Sequence, residues 1–181
     1  MDNPTTLLVA IMYVTIVATG LIGALMALSD IVGGQRKTDP VHTAWILLLL
    51  VSYFSFFWET TAILEIEGWD FLSFLGFIAG PIVLLFATNL IVAAPDAEEG
   101  STLDAFYFEQ SGRFFAMLGL VQVWIIGLDV VFASIGFTTY LSAGIGLLFL
   151  VLATSKSYRL HIAGIVIVGV AFVSRMILQA L

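Results

Sequence analysis

Six stretches of nearly continuous apolar residues, separated by short polar breaks, dominate the chain. A helix rising 1.5 Å per residue needs about 20 mostly apolar residues to cross a hydrocarbon core about 30 Å thick. The pattern predicts such spans over residues 6–29, 41–63, 71–94, 112–134, 137–155 and 158–179. Strands crossing a membrane would instead read as segments of about ten residues with alternating polarity, whereas Trp45 to Val51 and Ile162 to Val173 are apolar almost throughout. The predicted fold is all-α, a polytopic bundle of six transmembrane helices forming one domain over residues 1–181. The longest break, residues 95–111, reads as a cytoplasmic interfacial segment. Ser101 is its N-cap candidate, Asp104 follows three residues on, and Phe106, Tyr107 and Phe108 suit the headgroup layer.

Composition agrees with this reading. The chain is 61% hydrophobic and 10% charged, with a mean hydropathy of +1.11, whereas soluble domains carry about 25% charged residues. The formal charge of −7 says less than the placement of the six basic residues, because Lys and Arg near span ends mark the cytoplasmic side. Arg36, Lys37, Arg113, Lys156 and Arg159 lie at one side and Arg175 at the other, so both termini are expected outside. Met1-Asp2-Asn3-Pro4 lacks the basic region of a cleavable signal, and span 1 is expected to stay as an anchor. With no cysteine and no lipidation motif, the expected location is a bacterial or archaeal cytoplasmic membrane.

Ionisable residues inside spans are costly and usually face the bundle interior. Glu59, Asp129 and Arg175 are such residues, and their depths agree. Asp129 lies 16 residues beyond Arg113, and Arg175 lies 16 beyond Arg159, which places both about 24 Å from the cytoplasmic end. Glu59, 17 residues past His42, reaches about 26 Å. Arg175 is expected to pair with Glu59 or Asp129, leaving one carboxylate over to bind a cation, carry a proton or meet water. Ser52, Ser55 and Glu59 form one helical stripe, and Gln122 and Asp129 stand seven apart, so two polar stripes can either line a hydrated path or serve as interhelical hydrogen-bond partners. Glu65, Glu67 and Asp70 follow span 2 without a basic partner. Asp70 is also placed to cap span 3, and Trp58 and Trp69 fit an aromatic belt.

His42, Asn89 and His161 gather at the opposite boundary. Two histidines from different helices are the minimum for a bis-histidine haem, but both are expected at the watery interface with local hydrogen bonds, and further ligands for a metal are missing. No cofactor, metal or catalytic residue is therefore assigned. Gly80-Pro81 should kink or locally break span 3 and expose carbonyls that need partners. Gly20, Gly23, Ala24 and Ala27, with Gly144 and Gly146, allow close helix approach.

The chain contains no nucleotide-binding loop, zinc-protease or serine-hydrolase motif, potassium-filter sequence, arginine ladder or basic nucleic-acid patch. Three function classes stay open. One is an oligomeric channel or carrier moving an ion, proton or small solute along Ser52, Ser55, Glu59, Gln122, Asp129 and Arg175. Another is a non-catalytic scaffold or accessory subunit that assembles through its small residues. The third is a membrane enzyme or redox protein acting on lipid, quinone or haem. Membrane lipids and further copies of the chain are the expected partners.

Overall fold

The computed structural model describes residues 4–35, 39–64, 66, 68–92, 103–132 and 135–180. It is all-α, with six helices each long and apolar enough to cross a membrane: α1 (Pro4–Val32), α2 (Pro40–Ile63), α3 (Phe71–Val92), α4 (Leu103–Phe132), α5 (Phe137–Thr154) and α6 (Tyr158–Ala180).

Local chemistry sets several of the ends. Asp39 precedes Pro40, and its Oδ1 accepts the Val41 and His42 amides at 2.8 and 3.3 Å. A capping carboxylate is followed here by a proline whose missing N–H is no loss at the first helical position. Asp70 caps α3, accepting the Ser73 amide at 2.7 Å. The α1 terminus closes with Gln35 N–H on Asp30 O at 3.0 Å and Gly34 N–H on Ile31 O at 3.2 Å. That pattern needs a left-handed residue, supplied by Gly34 at φ 70°.

Residues 103–111 continue α4 as regular helix, so α4 runs 30 residues without a break. Ser101, with the rest of 93–102, lies outside the described residues, as do Arg36, Lys37, Glu65 and Glu67. Helix α3 passes through Gly80-Pro81 without interruption. One turn upstream of Gly80, the Gly76 carbonyl accepts the Trp124 indole N–H at 2.5 Å, so a side chain from α4 is tied to the α3 backbone beside the proline. A Cβ at Gly80 would lie 2.3 Å from the Trp124 ring, which is why glycine occupies the position beside this indole.

Helix adjacency gives a closed ring. Among the described residues α2 touches α3, α3 packs on α4, α4 on α5, α5 on α6, and α6 returns to α2, while α1 lies outside in the groove between α2 and α3. The α1 contact is close: Gly20 lies against the Tyr53 ring. Tyr53 is fully buried and its hydroxyl bonds Thr88 Oγ1 at 2.6 Å, so one tyrosine joins α1, α2 and α3. An aromatic core of Trp45, Phe114, Phe115 and Phe149 fills one half of the ring. Outside, Leu8, Met26, Phe57, Trp58, Leu147 and Val166 are exposed, an apolar surface suited to acyl chains rather than water.

Candidate functional site

The ring of α2 to α6 encloses a cavity of about 80 Å³. At about 10–15 Å³ per water site, it has room for several waters or a small solute. Ser52, Ser55 and Glu59 of α2 all line it, as do Gln122 of α4, Ser142 of α5 and Arg175 of α6, among mainly apolar walls. Trp45 and Phe149 close one end; both are almost completely buried. Glu59 and Arg175 stand at the other end with about a third of each side chain exposed, and they form an ion pair.

Arg175 therefore takes Glu59 as its partner. Asp129, the other carboxylate at this level, does not line the cavity; its Oδ2 accepts the Thr139 hydroxyl at 2.7 Å. Thr139 Oγ1 in turn accepts the Gly136 amide at 3.2 Å, so Asp129 is tied to the first turn of α5. The carboxylate expected to be spare thus has a structural partner. The serine hydroxyls bond back to their own helix, Ser52 to Leu48 O at 2.9 Å and Ser55 to Val51 O at 3.1 Å. Their protons are thereby committed, and their oxygens can only accept from the cavity.

The histidine end is organised differently from the sequence expectation. Both rings are buried, His42 at 3% and His161 at 0% exposure, rather than lying in interfacial water. His161 Nε2 is 3.1 Å from Ser155 O and Nδ1 is 2.5 Å from Tyr107 Oη. A carbonyl can only accept, so Nε2 carries the proton and Tyr107 donates to Nδ1. His42 Nε2 donates to Ile91 O at 2.7 Å, satisfying a carbonyl in the last turn of α3. Tyr107 lies between the two imidazoles, with ring centroids at 5.8 Å from His42 and 5.4 Å from His161. The Trp45 indole nitrogen faces Tyr107 without hydrogen-bond geometry. Asn89 is exposed; the buried polar residue of that turn is Thr88.

Further links fasten the start of α6 here. Tyr158 donates to Asp39 Oδ2 at 3.0 Å, and the Lys156 ammonium bonds the Phe108 carbonyl. Ligation through His161 Nδ1 would displace the Tyr107 hydroxyl, and among the described residues no three His, Asp or Glu side chains gather as a ligand set. Asp39, Tyr107, Thr139 and Tyr158 were not singled out from the sequence. Asp39-Pro40 carried a readable capping signal; Tyr107 was hidden inside an aromatic run that looked interfacial. Compared with models of known protein families, with curated proteins and with solved structures, the chain matches none.

Proposed function

We propose that the protein is a multi-pass membrane carrier that takes a small solute into the cavity inside its own helix ring, with the Glu59–Arg175 pair at the mouth. The observation supporting this reading is a cavity bounded by five helices, with polar groups at one end and an aromatic floor at the other. The floor favours a carrier over an open channel: a continuous pore within one ring would have to pass Trp45, Phe115 and Phe149, which stack edge to face at 4.8 and 6.2 Å from Trp45. By the positive-inside rule the mouth faces outward, since Arg113, Lys156 and Arg159 lie at the floor end. The absence of native cysteine makes that orientation directly testable with single introduced cysteines at Ser157 and Thr138 and an impermeant thiol reagent.

Native mass spectrometry of protein released from lipid discs tests occupancy. The wild type should retain a small molecule that is lost in Ser142→Phe, a substitution that fills the cavity from α5. Equal retention in both proteins, or no retained mass in the wild type, would remove the reading. The same spectra give subunit number, which decides whether a pore between protomers is the alternative route.

A further inference from the structure

The polar groups of the central cavity stand on two walls with different hydrogen-bonding capacity. On α2, Ser52 and Ser55 have given their protons to Leu48 O and Val51 O, so this wall can accept but not donate. Across the ring from α2, whose neighbours are α3 and α6, stand α4 and α5, which bring Gln122 and Ser142 to the cavity. Ser142 is only 6% exposed, yet it does not make the bond back along its own helix that Ser52 and Ser55 make. Among the described residues neither its hydroxyl nor the Gln122 amide makes a hydrogen bond. The two lie along one contact: a Cβ on Gly146 would be 3.3 Å from Gln122 Cβ, and Ser142 is one turn from Gly146 on the same face of α5. Polar groups held in an apolar interior without a partner are costly, so the α4–α5 wall has donors in need of an acceptor.

We infer that the occupant of the cavity is a small neutral primary amide, its N–H groups turned to the Ser52 and Ser55 oxygens and its carbonyl to Gln122 and Ser142. This names the solute of the binding site proposed above and rests on that reading. Charge gives the first limit. Among the described residues that line the cavity only Glu59 and Arg175 are charged, and they are paired with each other. An ion would have to leave water for mainly apolar walls with no counter-charge to receive it. Size gives the second. A cavity of about 80 Å³ is roughly half the volume of about 150 Å³ that takes benzene, which leaves space for about three or four non-hydrogen atoms. Hydrogen bonding gives the third. An apolar molecule of that size would leave both walls unmatched, and an alcohol brings one donor to two serine oxygens. A primary amide brings two N–H groups for the α2 wall and a carbonyl oxygen with two lone pairs for the donors of the α4–α5 wall.

Saturation-transfer NMR titrations of the protein in lipid discs, with the signal of empty discs subtracted, test this with four probes of equal heavy-atom count: acetamide, propan-2-ol, acetone and acetate. Acetamide should bind tighter than each of the others by about fivefold or more, the worth of one hydrogen bond. Ser142→Ala and Gln122→Leu should each weaken acetamide by a similar factor, and either variant carries the test if the other misfolds. Ser142→Phe, which fills the cavity, should abolish the acetamide signal. Acetamide binding that both Ser142→Ala and Gln122→Leu leave unchanged, or that propan-2-ol, acetone or acetate equals, would overturn the amide assignment. In that case a signal from any probe that Ser142→Phe removes would keep the cavity as a binding site. The absence of any such signal from all four probes would remove the site together with its solute.

Discussion

Replacing Gly20 with alanine tests the packing of α1 against the ring. An added Cβ would lie 2.0, 2.2 and 2.6 Å from Oη, Cζ and Cε1 of Tyr53, where ordinary contact begins near 3.4 Å. The tyrosine cannot swing aside, because its ring is fully buried and its hydroxyl is held by Thr88. Thr88 gives its own proton to Leu84 O at 2.9 Å, so Tyr53 is the donor in the shared bond. The ring must shift and lose that bond, or α1 must retreat and uncover Tyr13, Val17 and Ala24, all buried now. Overpacking of this kind costs about 1–3 kcal/mol, and a hydrogen bond between membrane helices adds about 0.6 kcal/mol. A loss of about 2–3 kcal/mol moves the folding equilibrium roughly 30- to 150-fold. Gly23→Ala is the control: it lies one turn away with nothing within 4 Å of its Cβ, and alanine there should be neutral or stabilising by up to about 1 kcal/mol. Both variants are measured by reversible unfolding in mixed micelles of mild detergent and dodecyl sulfate. Equal stability of Gly20→Ala and Gly23→Ala would refute the close approach of α1.

Other expectations follow from the same geometry. Tyr107→Phe leaves His161 Nδ1 buried without its donor, a loss of about 1–3 kcal/mol readable in the same unfolding assay; an unchanged midpoint would show that the bond contributes nothing. Glu59→Gln and Arg175→Gln should each destabilise more than half as much as the pair together, since either single change strands a charge, and a double-mutant cycle without coupling would contradict the ion pair. The Ser73 backbone amide holds the Asp70 carboxyl below the usual carboxylate range. Because the folded state lowers its proton affinity, the cap is fully present above the ordinary carboxylate range and is lost as pH falls through the lower value of Asp70 itself. Hydrogen exchange at Ser73 and Phe74, corrected for intrinsic rates, should therefore rise on strong acidification, and Asp70→Asn should abolish that rise; pH-independent protection in the wild type would refute it.

Much of the polar chemistry was visible in one dimension, but its pairing was not. The Ser52, Ser55, Glu59 stripe follows from helical spacing alone, and all three residues do line one cavity. The choice of Glu59 over Asp129 as the partner of Arg175 depends on how α2 and α4 are rotated about their axes. These helices are apolar nearly all round, so their sequences carry no amphipathic face to reveal that rotation. The histidines illustrate the same gap. Their position at helix starts suggested water, yet the helical continuation of α4 through Tyr107 covers both rings. The small residues divide likewise: Gly20 and Gly80 are pressed by aromatic rings, whereas Gly23 and Gly144 face open space.

The number, type and approximate limits of the helices were determined by the sequence itself. Runs of bilayer length with almost no charge can satisfy their backbone groups without water only by coiling into helices, and Asp39-Pro40, Asp70 and Gly34 set ends through bonds within a few residues. The ring, its cavity and the partner of each charge were decided only by tertiary structure. Those features depend on contacts between residues as far apart as Glu59 and Arg175 or Tyr107 and His161, and helix associations in an apolar surrounding are chosen by shape and a few hydrogen bonds that no local pattern encodes.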